Sequence, residues 1–533
     1  MTLLDWLIIV FYIALIIGKS LWIYKGQRSQ KDYFLGGQGM SSWSVGFSLI
    51  ANQVSVISLI GAPAFVALQR RGGMRWLQYE LAIPLAMIFL MHFLVPALRK
   101  YSLTSIYEYL GERFGHTCRL TISTIFLLSR ALGTGVVLYA SAMVLAVVLN
   151  ISLFTTMIIM GMVAVLYTTI GGIKADIYSD VIQLIIIWIG TVAALIAALS
   201  ILGADWSPLS WAPTERLMTI DFHHHGLGDG ETFSFWPMLI GGFFLYLSYY
   251  GCDQTQGQRL LTTPTPEGAK KALFINGMLR FPLVLGYCFL GLLMIRVLEV
   301  EPQLRMALPP EHPDYLIPVF IIKFLPAGLT GLVLAGLFAA SMSSLDSSFN
   351  SLSAVTMRDL LKSSSIAKWG EKRRLLVSRA FTFGWGIFCT MAGLAFARSS
   401  ATVIEMVNMV GSLFYGPVLA VFLLAMFTRR LKGWTAIAGM ISGVVVNLGL
   451  WLFAPKVSWM WWNVAGFLIT ILVALLLGVL THLHRVEIKK GDVSWRERLF
   501  YIFPIGLNRS YGILIGAFVT IFLLLLIVQY LLL

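Results

Sequence analysis

Long apolar runs recur along the whole chain, and they constrain its fold more than any other feature. A run of about 18 or more apolar residues is long enough to cross a bilayer as a helix. Lipid offers no hydrogen bonds to an open backbone, so a chain that crosses repeatedly does so as helices or a closed barrel. Fourteen runs fit helical spans, at 4–24, 42–69, 76–98, 120–149, 152–171, 178–203, 232–251, 272–298, 316–345, 375–397, 402–427, 433–454, 457–481 and 511–532. Of the 533 residues, 58% are hydrophobic and 12% charged, against about 25% charged in soluble domains. The expectation is an all-α polytopic membrane protein with about 14 transmembrane helices and no soluble domain. The first run, "LLDWLIIVFYIALIIGKSLWIY", lacks a preceding basic region and is long enough to span. It is therefore expected to be a helix and not a cleaved leader.

The net charge of +14 suggests nucleic acid until the charges are placed. With the N-terminus outside, lysine and arginine concentrate in the inside loops. The richest are 346–374, which contains "KWGEKRR", and 482–510, a long amphipathic segment. That bias sets orientation in the plasma (inner) membrane and contact with anionic lipid, with no nucleic-acid partner. An even number of spans puts both termini outside. Cys118, Cys252, Cys288 and Cys389 are scattered in or beside spans, as small apolar core residues are. The outer loop 204–231 carries "DFHHHGLGDGE". Adjacent histidines on one loop rarely converge on a single ion, so no metal site is expected there.

Two spans look broken. In "GFSLIANQVSVISLIGAP" (46–63), Asn52, Gln53, Ser55 and Ser58 fall mid-span before Gly61 and Pro63. In "YLSYYGCDQTQGQR" (246–259), a span ends in a polar cluster. These are the second and seventh spans, and interruptions at matching places in two halves point to an inverted-repeat transporter. The repeats would be 42–203 and 232–427, after a leading helix at 4–24 and before C-terminal helices at 433–532, all in one membrane domain.

The run after 316 ends in "LFAASMSSLDSSFNSLSAVTMRDL" (337–360). Ser343, Asp346, Ser347 and Asn350 recur at helical spacing and share one face, with Ser344 beside them. Hydroxyls and a carboxylate suit a hard monovalent cation. Serines also pack helices closely and bond back to their own turn, but that use leaves Asp346 unexplained unless it lies at the inner interface. In "YTTIGGIKADIYSDVIQLIIIW", Asp180 opens the sixth run, as a helix cap, a cation ligand or both. Lys174 and Asp176 are expected in the solvated loop before it. The sequence has no nucleophile–base set, no H-E-x-x-H and no phosphate loop, so an enzyme is not expected.

Seven segments together closely resemble the sodium:solute symporter family. They are "DYFLGGQGMSSWSVGFSLIANQVS", "LTSIYEYLGERFG", "TGVVLYA", "YTTIGGIKADIYSDVIQ", "YYGCDQTQGQRLL", "GLFAASMSSLDSSFNS" and "GPVLAVFLLAMF", in the family's order over roughly 30–450. The resemblance implies the inverted five-plus-five-helix, LeuT-like core with flanking helices. It implies sodium as the coupling ion and no other cofactor. The main sodium site would use the carbonyls of Ala51, Val54 and Ala340 and the hydroxyls of Ser343 and Ser344. A second sodium site would use Asp180, Ser343, Asp346 and Ser347. The solute would be read by Gln53, Ser55, Ser58, Glu80, Tyr246, Tyr249, Arg280 and Asn408, with Tyr249 as an inner gate. Arg280 fits two roles, holding a carboxylate or snorkelling to the inner surface. The arginine of the sialic acid branch matches Gly133 here, although Arg130 lies nearby, so that anchor does not transfer. The expected activity is sodium-coupled import of a small polar organic solute, an organic anion or a sugar-like compound, by a protein working as a monomer. A sodium-linked sensor or leak channel on the same fold is the alternative.

Overall fold

The computed structural model describes residues 1–533 except 55, 309–312, 362–365, 367, 397–402, 430, 483–508 and 533. Side chains are also left aside at 56, 57, 147, 148, 209, 339, 396, 403–410, 482, 531 and 532. Residues 483–508 of the amphipathic segment 482–510 and Ser55 therefore fall outside the described residues, as does the side chain of Asn408.

The principal helices are α1 (Leu3–Tyr24), α2 (Ser42–Gln53), α3 (Val56–Leu68), α4 (Met74–Arg99), α5 (His116–Leu149) and α6 (Leu153–Leu202). They continue with α7 (Gly242–Cys252), α8 (Gln254–Leu261), α9 (Pro266–Val300), α10 (Leu316–Phe324) and α11 (Leu329–Val355). The last five are α12 (Glu371–Phe396), α13 (Val403–Phe427), α14 (Gly433–Phe453), α15 (Trp459–His482) and α16 (Arg509–Leu532).

Ten helices among the described residues are long and apolar enough to cross a bilayer, eleven with the bent pair α2–α3 taken as one span. The sequence leads to fourteen. The runs 152–171 and 178–203 form one 50-residue element. At 1.5 Å per residue that is about 75 Å, far beyond a single core of about 30 Å. The seventh run, 232–251, holds an α-helix only from Gly242 to Cys252, after a π-helical turn at Pro237–Gly241, and is too short to count alone. The ninth run, 316–345, is split: α10 has nine residues, and α11 starts at Leu329 and continues to Val355. In α13 (Val403–Phe427) the side chains are described from Gly411 on, so only Gly411–Phe427 counts there, as a shorter apolar helix.

The bend in α6 lies at Gly172, with φ +58° and ψ −167°. A β-carbon there would stand 2.6 Å from the Tyr33 carbonyl oxygen, so only glycine fits. Carbonyls near the bend find outside donors. The Tyr33 hydroxyl donates to the carbonyls of Thr168 (3.3 Å) and Thr169 (3.2 Å), and Gln27 Nε2 donates to that of Gly171.

α11 is the hub. It packs against α1, α5, α6 and α12. Its apolar window is 88% buried, against 22% for α15 and α16, so those two helices present most of their surface to lipid. The start of α11 is held by α1: Asp5 Oδ1 accepts from the backbone N–H of Gly328 (2.8 Å) and Gly331 (2.9 Å). A carboxylate suits a helix N-terminus, whose first N–H groups lack partners.

Candidate functional site

α2 stops where the polar cluster begins. Val54 leaves helical geometry at φ −82° and ψ 73°, although its N–H still reaches the Ile50 carbonyl at 2.8 Å. The described parts of α2 and α3 meet at 48°. Ala51 and Val54 are buried at this end, where a helix runs out of its own donors.

The break lies against α11. Asn52 Nδ2 donates to the Ser343 carbonyl at 3.2 Å, and the Ser344 hydroxyl donates to the Asn52 carbonyl at 3.3 Å. Ala340, one turn earlier on α11, is fully buried. The serines of this helix divide into two kinds. Ser341, Ser347 and Ser348 bond back to carbonyls four residues earlier, at 2.9, 2.6 and 2.8 Å, which is the packing use of serine. Ser343 and Ser344 point their hydroxyls at other elements, Ser343 to Asp180 Oδ1 and Ser344 to the break.

Asp180 is fully buried and paired. Its Oδ2 accepts from Arg259 Nη2 at 2.9 Å and from the Ser48 hydroxyl. Arg259, also fully buried, donates Nε to Ser48 Oγ (2.7 Å), Nη1 to the Thr255 carbonyl (2.8 Å) and Nη2 to the Ser347 hydroxyl. The four residues expected at the second sodium site thus converge, with Arg259 among them. Asp346 is fully buried in the protein, and α11 runs nine residues past it. Its Oδ2 accepts from the Tyr167 hydroxyl, and its Oδ1 from the Ser347 N–H (2.5 Å) and hydroxyl (3.0 Å). Asp176 is not in a solvated loop, because the helix resumes right after Gly172 and buries it, leaving Lys174 half-buried.

A second cluster lies among α4, α7 and α9. Arg280 donates Nε to Glu80 Oε2 (2.7 Å) and Nη2 to Glu80 Oε1 (3.3 Å). Both residues are buried, so Arg280 does not snorkel. Its guanidinium carbon is 5.3 Å from the Tyr246 ring, and its Nη1 has no partner. Tyr246 packs on Tyr79 with centroids 4.6 Å apart. Gln53 accepts from the Tyr250 hydroxyl, and Ser58 is half-buried beyond the break.

The seventh-span break comes at Asp253, whose extended backbone (φ −91°, ψ 126°) separates α7 from α8 and whose carboxylate caps α8 at Thr255 N (2.8 Å). Tyr249 sits one turn before it. The Tyr249 hydroxyl donates to Asn52 Oδ1 (3.1 Å) and accepts from Gln256 Nε2 (2.9 Å), which also reaches Asn52 Oδ1 (2.7 Å). Arg130 joins from α5, donating to Ser348 Oγ (3.1 Å), Asp253 Oδ2 (3.3 Å) and Thr255 Oγ1 (3.0 Å). The two broken spans are thereby tied to each other and to α11.

Sequence reasoning gave no role to Arg259, Asn52, Gln256 or Asp176. Arg259 and Gln256 stand in the quoted "CDQTQGQR", and charge in so polar a segment beside a span was the signal. In the loop 204–231, His224 Nδ1 lies 2.9 Å from Asp221 Oδ2. Among the described residues no three histidine, cysteine or acidic side chains group to hold a metal.

Fold and site define an integral membrane transporter of the LeuT-like kind, with a cation-suited seam between a broken helix and a serine-rich one. The sodium:solute symporter family model matches residues 33–443, and the chain belongs to that family. It is 30% identical over 459 residues to the human sodium-coupled monocarboxylate transporter 1, covering 84% of this chain and 73% of the relative. It is 30% identical over 467 residues to the rabbit (Oryctolagus cuniculus) sodium-dependent multivitamin transporter, covering 82% and 69%. The human sodium/iodide cotransporter is 28% identical over 460 residues, 84% and 70%. Among solved structures, a substrate-bound, outward-open sodium-coupled sialic acid symporter superposes with a TM-score of 0.80 at 23% identity. That match covers 90% of this chain and 98% of the other, and it shows the shared fold.

Proposed function

We propose that the chain is a secondary active symporter that uses the sodium gradient to import a small organic anion by alternating access. The observation that carries this is the seam between α2 and α11, where Ser343 and Ser344 turn away from their own helix towards Asp180 and the broken backbone. The main sodium site is assigned to the carbonyls of Ala51, Val54 and Ala340 with those two hydroxyls. Sodium there pins α2 to α11 and favours the outward-open state. Low sodium inside lets them part, a population shift driven by differential ion affinity. Each sodium carried inward across 100 mV adds about 2.3 kcal/mol to the driving force.

The solute pocket is assigned to Gln53, Ser55, Ser58, Glu80, Tyr246, Tyr249, Arg280 and Asn408, with Tyr249 closing its inner end. The named relatives carry monocarboxylates, vitamins and iodide, which supports an anion. The buried, unpartnered Nη1 of Arg280 supports a carboxylate as its head group, with Glu80 fixing the guanidinium. Residues 42–203 and 232–427 are taken as the two repeats, between the helix at 4–24 and the C-terminal helices. The protein is placed in the plasma (inner) membrane with both termini outside, acting as a monomer and with no catalytic role.

The test is uptake into proteoliposomes of labelled short monocarboxylates, vitamins with a carboxylate, sialic acid and sugars. An inward sodium gradient should drive accumulation of the carboxylates. Accumulation of sugars alone would overturn the anion assignment. No accumulation of any solute would overturn symport and favour the sensor or leak.

A further inference from the structure

Pro417 lies inside α13 and has no N–H, so the Leu413 carbonyl, four residues before it, gets no donor from its own helix. A bare carbonyl is costly at membrane depth. Here the donor comes from another helix. Asn447 Nδ2, on α14, donates to the Leu413 carbonyl at 3.0 Å and to the Ser412 carbonyl at 3.2 Å. Asn463 Nδ2, on α15, donates to the Ser412 hydroxyl at 3.1 Å and to the Met460 carbonyl at 3.2 Å. Both asparagines and Ser412 are fully buried, and neither Asn447 Oδ1 nor Asn463 Oδ1 has a partner. A buried amide with its oxygen left open is expensive. The donors of Asn447 explain its place in this junction, because the proline break needs them.

The break joins a clamped element to one that has to move. At Pro417 the three helices touch backbone to backbone. A β-carbon on Gly466 of α15 would stand 2.8 Å from the Pro417 ring, and one on Gly416 would stand 2.0 Å from the Asn463 carbonyl oxygen. On its other side α13 is tied to α7. The Tyr415 carbonyl accepts from the Ser248 hydroxyl at 2.8 Å, and the Tyr415 ring centroid lies 6.3 Å from that of Tyr249. α7 is the first half of a broken span and carries Tyr249, the residue assigned as the gate. Any shift of α7 therefore pulls on α13 just before its clamped point, where its hydrogen-bond ladder is already interrupted.

We propose that the turn Leu413–Pro417 is a hinge of the transport cycle, and that Asn447, on a helix outside the two repeats, is the positioning residue that answers the carbonyl freed at the hinge. The motion it serves rests on the symport reading; the freed carbonyl does not.

The experiment compares the wild type, Pro417→Ala, Asn447→Leu and the double variant, by melting in one detergent and by uptake into proteoliposomes of a labelled carboxylate that the wild type accumulates. Pro417→Ala returns the N–H that the Leu413 carbonyl lacks. It should keep the melting midpoint and the binding of radioactive sodium, yet lower the maximal uptake rate about tenfold or more with KM within about twofold. Asn447→Leu leaves the Leu413 carbonyl bare and should lower the midpoint. The double variant should recover the midpoint and stay slow. A purely static role for the pair predicts that rate and midpoint recover together. Pro417→Ala at the wild-type rate, or a double variant that recovers both, would overturn the proposal. Should Pro417→Ala fail to give a monodisperse protein, Asn447→Leu is read alone. Its maximal rate should then fall about fivefold or more with KM within about twofold, and a lowered midpoint with both constants unchanged would overturn the hinge. Failure of symport itself reads out differently, as no accumulation by the wild-type chain.

Discussion

Replacing Arg259 by methionine should be among the most damaging single changes available to this protein. Arg259 and Asp180 are fully buried and 2.9 Å apart. Removing one member of such a pair costs about 3–5 kcal/mol, because the other charge is left without compensation. The guanidinium also donates to Ser48 (2.7 Å) and the Thr255 carbonyl (2.8 Å), so these acceptors lose their donor as well. Asp180→Asn removes a charge and keeps one oxygen, which can serve Ser343 or Ser48 but not both, and it strands the guanidinium. The double variant strands neither charge, so its cost should fall short of the sum of the singles by about 2 kcal/mol or more. The assay is thermal and chemical melting of the four proteins in one detergent, read as the order of midpoints because a chain of this size need not unfold in two states. Arg259→Met should melt lowest, with the double variant above it. The reasoning is refuted if Arg259→Met melts within about 1 °C of the wild type, or if the two single effects simply add.

Three further outcomes follow from the same geometry. Ser343→Ala with Ser344→Ala should raise the sodium concentration for half-maximal uptake by about tenfold or more, equivalent to about 1.4 kcal/mol. Ser341→Ala should leave it within about twofold, because that hydroxyl serves its own helix; sodium titration of uptake checks both. Glu80→Gln strands Arg280 and should lower both the melting midpoint and the solute affinity, and adding Arg280→Gln should restore the midpoint but not the affinity. Asp5→Ala should lower the midpoint by an amount matching about 0.5–2 kcal/mol, since one carboxylate oxygen serves two N–H groups at the start of α11. It should leave the sodium titration unchanged.

The helical membrane character was legible from apolar run length, and the break at Val54 from the polar residues around it. The serine face was also legible, because Ser343, Asp346 and Ser347 fall at helical spacing. What failed was the placing of element ends among polar residues. "GGIKADIYSD" reads as a loop, since glycine and charge usually mark one. Here Gly172 only bends the helix, and Asp176 is buried with the charged network. The apolar run that holds the serine helix ends at 345, although its polar face reads as helical on to Asn350. The helix runs on to Val355 because α1, α5, α6 and α12 cover it where lipid would otherwise lie. Pairings were less legible still. Arg259–Asp180 and Arg280–Glu80 join residues 79 and 200 positions apart, and no periodicity within one segment reports a partner in another.

The central claim is coupling, and it is tested most directly by measuring sodium and solute fluxes together in the same proteoliposomes. Radioactive sodium and a labelled carboxylate should enter in a fixed ratio, each requiring the other, and an outward solute gradient should drive sodium out. Sodium entry at the same rate with and without solute would contradict the account and identify a leak. Solute entry at the same rate without sodium would contradict it equally.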